Sequence, residues 1–331
     1  MKLATWIKKE KKGGEPRIGV LLDDPCMLDL QAAAALYLRE VEKETRSSRL
    51  AAEFIPMDMC AFLGIGDEAM NLARRTVDFI QKRGHKRGPQ RGQERRKENK
   101  VIYSLDEIRF QPPVPRPGKI IAMGLNFHDH AVEIKAPIPQ SPRAFLKVSS
   151  SLIGHGEPVP YPAITRELDY EVELAVVIGK KGKNIPAEKA DAYIAGYTIA
   201  NDLSARDIQR QEAKERALYL SKNLDALGPM GPCLVTRDEI PDPQALTMEL
   251  YVNQEPEPRQ KSTPAKMIFK IPDLVAYWSQ MTLEPGDIIS SGTPGGVAAS
   301  RQPDPQRWFL KPGDVVEARI QGLGVLRNPI V

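Results

Sequence analysis

A chain of 331 residues, 41% hydrophobic and 27% charged, has the composition of a folded protein and is long enough for about two domains, which excludes wholesale disorder. Lys and Arg number 47 against 43 Asp and Glu, a net charge of +4 that points to no strongly acidic or basic partner. Proline (29) and glycine (24) make 53 of the residues, about 16% against an ordinary share of about 12%, which predicts many turns and a β-rich fold.

No apolar run follows the basic residues Lys8, Lys9, Lys11 and Lys12, and residues 18–38 are interrupted by Asp23, Asp24 and Asp29. Neither a leader nor a membrane span is therefore expected, and the protein reads as cytoplasmic. Residues 17–22 form a predicted strand; 28–41 and 68–82 have helical spacing. Residues 82–100 hold nine Lys or Arg against Glu94 and Glu98, a local +7 among Gly and Pro, and read as a solvated basic loop. The loop has no aromatic residue and no groove-reading motif, so nucleic acid is not the expected partner. Cys26, Cys60 and Cys233 show no C-x-x-C spacing, which supports neither disulfides nor a thiolate zinc site. Four prolines within 111–117 mark a hinge. It separates a small N-terminal α/β domain, 1–117, from a larger domain, 118–331. In the larger part, strands are expected at 119–123, 144–148, 171–178, 193–200, 246–252, 287–291 and 315–320, with helices at 205–220 and 272–281. The fold class is α+β, mainly β, without the regular alternation of a doubly wound sheet.

The chemistry concentrates in Asp169-Tyr-Glu171-Val-Glu173-Leu-Ala-Val-Val-Ile-Gly179. On a strand, period two places Glu171 and Glu173 on one face and Tyr170, Val172, Leu174 and Val176 on the other. Such a pair of like charges either lines the wet face of an antiparallel strand or, in a pocket, recruits a hard cation such as Mg²⁺, Mn²⁺ or Ca²⁺. Asp202 ends another predicted strand just before a helical segment, where it fits either an N-cap or a third ligand. His130 and Glu133 are spaced i, i+3, so one helical turn would put the carboxylate beside the imidazole and make a base.

Glu171-x-Glu173, followed 29 residues later by Asp202 in Asn201-Asp-Leu-Ser-Ala-Arg-Asp-Ile-Gln209, resembles the signature of the fumarylacetoacetate hydrolase family. Four further stretches resemble it in the same order: Lys119 through His130, Phe145-Leu-Lys147, Lys222, and Met281 through Val297 with its Gly-Thr293-Pro-Gly-Gly turn. The resemblance covers about two-thirds of the chain. It implies a mixed β-sandwich or roll for residues 118–331, a divalent cation (Mg²⁺, alternatively Mn²⁺ or Ca²⁺) on Glu171, Glu173 and Asp202, and a homodimer. Catalytic roles fall to His130, Glu133, Gln209 and Lys222, and substrate contacts to Lys147, Arg206 and Thr293. The implied reaction is hydrolysis of a carbon–carbon bond in a 1,3-diketo acid by water activated at His130–Glu133. Decarboxylation, isomerisation or dehydration of a 2-keto acid through the same enolate is the alternative, and a non-catalytic binding protein on this scaffold is the reading from another class. The chain departs from the family pattern at Phe127, Val148, Ser221, Asn223, Leu224 and Gly295, which points to a roomier or more apolar acyl site.

Overall fold

The computed structural model describes residues 1–9, 14–85 and 100–331. Its centre is a large sheet whose strands run, edge to edge, Ile102–Ser104, Cys26–Asp29, Arg17–Leu21, Lys2–Lys8, Gly228–Thr236, Ile194–Asn201, Val172–Ile178, Ile288–Ser290, Ile120–Met123 and Ala144–Lys147. All neighbours along this path are antiparallel except Ile288–Ser290 with Ile120–Met123. The fold is mixed α and β with a mainly β core, as expected. The N-terminal strands continue the same sheet, joined through Leu3 opposite Leu234. The proline-rich stretch at 111–117 is packed down: Val114 is fully buried and Thr5 Oγ1 donates to the Pro113 carbonyl at 2.8 Å.

Two layers cover this sheet. On one face lie four helices, Leu30–Glu40, Ser47–Phe54, Met59–Ile65 and Asp67–His85, packed on Leu3, Val20, Leu28, Ala175, Val177 and Leu234. Asp29 caps the first of these by accepting from Ala32 N at 3.2 Å, so the predicted helix at 28–41 begins only after a short strand, Cys26–Asp29. The opposite face meets a four-stranded antiparallel sheet in the order Gln260–Ser262, Met248–Val252, Val315–Ile320, Gly324–Pro329. There Met248, Leu250, Val252, Val316, Ala318 and Ile320 alternate inward against Val172, Leu174, Val176 and Ile178. The predicted helix at 205–220 is two helices, Arg206–Lys214 and Leu220–Asn223, with residues 215–219 between them. Of the basic loop expected at 82–100, residues 82–85 end the helix Asp67–His85, and 86–99 lie outside the described residues. No described helix is long and apolar enough to cross a membrane.

Close sheet pairing depends on glycine at specific positions. A Cβ at Gly196 would stand 2.0 Å from the Val235 carbonyl oxygen, so only glycine permits the approach of Ile194–Asn201 to Gly228–Thr236. Gly196→Ala should lower unfolding stability by about 1–3 kcal/mol in urea titrations followed by circular dichroism, and an unchanged midpoint would refute this close packing.

Candidate active site

The carboxylates expected at the centre are brought together by strand register. Val172 pairs with Asn201, so the residues just beyond that pair, Glu171 and Asp202, become neighbours. Asp202 N donates to the Glu171 carbonyl at 2.9 Å, and Glu171 N donates to Asn201 Oδ1 at 2.9 Å. One carboxylate oxygen from each of Glu171, Glu173 and Asp202 lies within 4.8 Å of the others. All three residues are buried, with relative exposures of 5%, 1% and 3%. The face that Glu173 shares with Ala175 and Val177 is therefore not a wet one, because the N-terminal helical layer covers it further along. Asp202 caps no helix either: Ala205 holds the N-cap position of Arg206–Lys214.

Buried carboxylates need partners, and this site supplies them as three cations. Lys222 Nζ donates to Glu171 Oε2 at 2.7 Å and to Asp202 Oδ2 at 2.6 Å. Lys147 Nζ donates to Asp202 Oδ1 at 2.7 Å, to the Leu227 carbonyl at 3.2 Å, and to the carbonyl of Lys222 itself. Arg206 reaches a fourth carboxylate as well. Its Nε donates to Asp169 Oδ2 at 2.8 Å, Nη2 to Glu171 Oε1 at 2.5 Å, and Nη1 to Gln209 Oε1 at 2.8 Å. That last bond leaves Nε2 as the remaining donor of the Gln209 amide. Glu173 accepts from Ser290 Oγ and from Gly292 N, the latter at 3.2 Å.

The electrostatics divide the three acids. Burial alone would raise the Glu171 pKa, but Lys222, Arg206 and, further off, His130 hold it well below the ordinary carboxylate range. Glu173 goes the other way: burial, then the charges of Asp202 and Glu171, push it well above that range. Burial works against the Lys222 ammonium too, yet Asp202 and Glu171 outweigh it and raise its pKa. The donor set, three hard carboxylate oxygen groups converging in a buried place, fits a divalent cation of the Mg²⁺, Mn²⁺ or Ca²⁺ type and offers no soft ligand.

The i, i+3 pair sits on the helix His128–Glu133, with His130 Nδ1 and Glu133 Oε2 3.2 Å apart. A loop from the far end of the chain holds this helix. Gly296 N donates to Glu133 Oε1 at 2.9 Å, and Gly295 N to Asp129 Oδ1 at 3.2 Å. Thr293 Oγ1 donates to the Val172 carbonyl at 3.1 Å and accepts from Gln260 Nε2 at 2.9 Å. His128 is exposed, and His155 Nδ1 accepts from Arg327 N at 3.2 Å, away from the carboxylates. Sequence reasoning gave no role to Asp169, Asn201, Ser290, Asp129 or Gln260. Asp169 takes Arg206 Nε and the backbone N–H groups of Ala298 and Ala299, and so ties the C-terminal loop to the strand. The only signal for it was its place at the head of the acidic motif.

Residues 119–331 match the family described as Fumarylacetoacetate (FAA) hydrolase C-terminal. The oxaloacetate tautomerase YisK of Bacillus subtilis (strain 168) is 37% identical over 318 residues, 95% of this chain and 95% of the relative. The mitochondrial oxaloacetate tautomerase Fahd2a of Rattus norvegicus is 40% identical over 278 residues, 84% of this chain and 80% of the relative. Among solved structures, maleylpyruvate hydrolase from Sphingobium sp. SYK-6 superposes with a TM-score of 0.68 at 28% identity, covering 100% of this chain and 99% of that one.

Arg206 is the buried strut most exposed to test. Arg206→Ala leaves Asp169 and Glu171 short of a partner and should lower unfolding free energy in urea by about 3–5 kcal/mol, with Arg206→Lys recovering only part because an ammonium cannot serve three acceptors in one plane. A loss under about 1 kcal/mol, the range of an exposed pair, would contradict the buried network.

Proposed function

The chain belongs to the fumarylacetoacetate hydrolase family, and from that premise we propose that it is a metal-dependent isomerase that interconverts the enol and keto forms of oxaloacetate or a closely similar 2-keto dicarboxylate. The observation that carries the reading is the convergence of Glu171, Glu173 and Asp202 in a buried, lysine-flanked cluster. Support for isomerisation over the expected carbon–carbon hydrolysis comes from relatives named for oxaloacetate tautomerisation that span 84% and 95% of this chain.

A cation held by the three carboxylates, Mg²⁺ or Mn²⁺ by the hardness of the donors, would supply the positive charge that makes an enolate oxygen tolerable. The remaining steps belong to side chains. Glu133 Oε2 engages His130 Nδ1, which leaves Nε2 to take a proton from the carbon next to the ketone or, in the enol-to-keto direction, to give one to it. Lys222 Nζ, held at Glu171 and Asp202, donates to the ketone oxygen as negative charge builds there, with Gln209 Nε2 as second donor. The proton that His130 takes from carbon is the one it delivers to the enolate oxygen, and the enol-to-keto direction runs the same transfer backwards, so the substrate keeps its composition and no water is consumed. Lys147, Arg206 and Thr293, first expected at the substrate, act here by holding the carboxylates and their strand, because their polar atoms are engaged by protein.

Hydrolysis retains one specific support, the His130–Glu133 pair suited to activating water, together with full-length similarity to a maleylpyruvate hydrolase. One assay separates the readings. Enol oxaloacetate is mixed with the purified chain and Mn²⁺, enol absorbance is followed, and products are read by NMR. Acceleration that disappears in excess EDTA, returns with added Mn²⁺ and yields only the keto form is the expected result. His130→Ala should lower kcat by about 10²- to 10⁴-fold, the usual weight of a general acid–base group, and Glu171→Ala or Asp202→Ala should bring the rate to background. Shorter acids among the products would favour hydrolysis, pyruvate would favour decarboxylation, and full activity in chelator would remove the metal from the scheme.

A further inference from the structure

Lys222 projects from a helix of only four residues, Leu220–Asn223, whose N-cap residue Tyr219 makes no side-chain capping bond. One helical turn does not hold itself together in water. The position of the ammonium must therefore be set by what grips this turn from outside.

Two grips are present, one on each side of Lys222. Asn223 is 8% exposed and uses its whole amide. Oδ1 accepts from Val148 N at 2.7 Å, while Nδ2 donates to the Leu146 carbonyl at 3.0 Å and the Tyr219 carbonyl at 2.8 Å. Leu146 and Val148 flank Lys147 at the end of the last strand of the large sheet, Ala144–Lys147, with Val148 the first residue beyond it; the other side of the strand pairs with Ile120–Met123. The amide thus bonds to this edge as a neighbouring strand would, and it fixes the spacing between the backbones that carry Lys147 and Lys222. On the other side, the Glu212 carboxylate accepts from Ser221 Oγ at 2.5 Å, Leu220 N at 2.6 Å and Tyr219 N at 3.1 Å. Glu212 lies on the helix Arg206–Lys214, which is itself anchored to Glu171 through Arg206. The turn bearing Lys222 is therefore tied both to the strand of Lys147 and to the helix of Arg206.

We infer that Asn223, with the Val148 N–H, and Glu212, with Ser221, are positioning residues: a clamp that places the Lys222 ammonium between Glu171 and Asp202. Three of the positions where the chain departs from the family pattern, Val148, Ser221 and Asn223, are thereby members of one hydrogen-bonded device. Asn223 supplies both a donor and an acceptor here, and Val148 supplies an N–H that proline lacks. The inference rests on the role given above to Lys222 and adds the residues that act through it.

The test uses the full chain with Mn²⁺. Val148→Pro suits an extended backbone (φ −89°, ψ 147°) and removes the donor to Asn223, whereas Asn223→Ala removes three bonds. Each should lower kcat for oxaloacetate tautomerisation about 10- to 100-fold while KM moves less than about threefold. In a chain already carrying Lys222→Met, adding Asn223→Ala should cost less than about twofold more, because its effect passes through the missing ammonium. A full additional loss in that background, or unchanged kcat in both single variants, overturns the clamp. Hydrogen exchange supplies a reading that needs no turnover: Asn223→Ala should speed exchange at 144–148 and 219–223 together and leave 172–178 unchanged. If 219–223 stay as protected as before, the clamp is refuted. A wild-type chain without tautomerase activity would instead refute the proposed reaction, with exchange still deciding the clamp.

Discussion

Four carboxylates and three cations share one buried cluster, and most of the local architecture follows from keeping that charge in balance. Asp169, Glu171, Glu173 and Asp202 face Lys147, Arg206 and Lys222, all buried. With every acid ionised the cluster would carry one uncompensated negative charge in a setting where such a charge is expensive. Burial and the charges of Asp202 and Glu171 push the Glu173 pKa up, the direction that relieves it.

The fold meets this demand with backbone as much as with side chains. Adjacent antiparallel strands deliver Glu171 and Asp202 to the same point because their register ends together, and Ser290 and Gly292 come from the next strand over to hold Glu173. The loop that follows, through Gly295 and Gly296, fastens the helix of His130 and Glu133. Residues within 290–296 therefore touch both the carboxylate cluster, at Glu173, and the helix of His130 and Glu133, so a displacement of this loop would be felt by both. Among the described residues, the N-terminal strands and helices supply no side chain to this cluster. They extend the sheet and bury the outer face of the strands that carry it.

Much of this was visible in the order of residues. The alternation of Val172, Leu174 and Val176 against Glu173, Ala175 and Val177 is a strand signal that needs no structure, and the His130–Glu133 spacing anticipates a contact only if the segment is helical, which it is. Other parts were illegible for physical reasons. Gly228–Thr236 contains Gly228, Pro229, Gly231 and Pro232 and looks like a loop, yet it is a central strand, with Ile199 opposite Gly231 and Ala200 opposite Met230. Local propensity opposes it and burial between two sheet neighbours overrides it. Lys2–Lys8 was hidden by the lysines that follow it, and Ser47–Phe54 and Met59–Ile65 are too short for periodicity to stand out. The helix expected to run unbroken from 205 to 220 stops at Lys214, and it is the restart at Leu220 that aims Lys222 inward.

By itself the sequence determined the kind of side chains available: three acids of hard-ligand type, a histidine with a carboxylate one turn away, and a β-rich framework to carry them. Those properties follow from side-chain type and local period, which do not depend on distant partners. Only the tertiary structure decided that the acids are buried rather than washed by solvent, that Arg206, Lys147 and Thr293 have their polar atoms taken up by protein, and that Asn223 and Glu212 grip the turn of Lys222. Most of these are matters of which groups meet far apart in the chain, as Lys222 meets Glu171 across 51 residues and Thr293 meets Val172 across 121. In a buried site the partner a polar atom finds, more than its own identity, sets its charge state and its freedom to act.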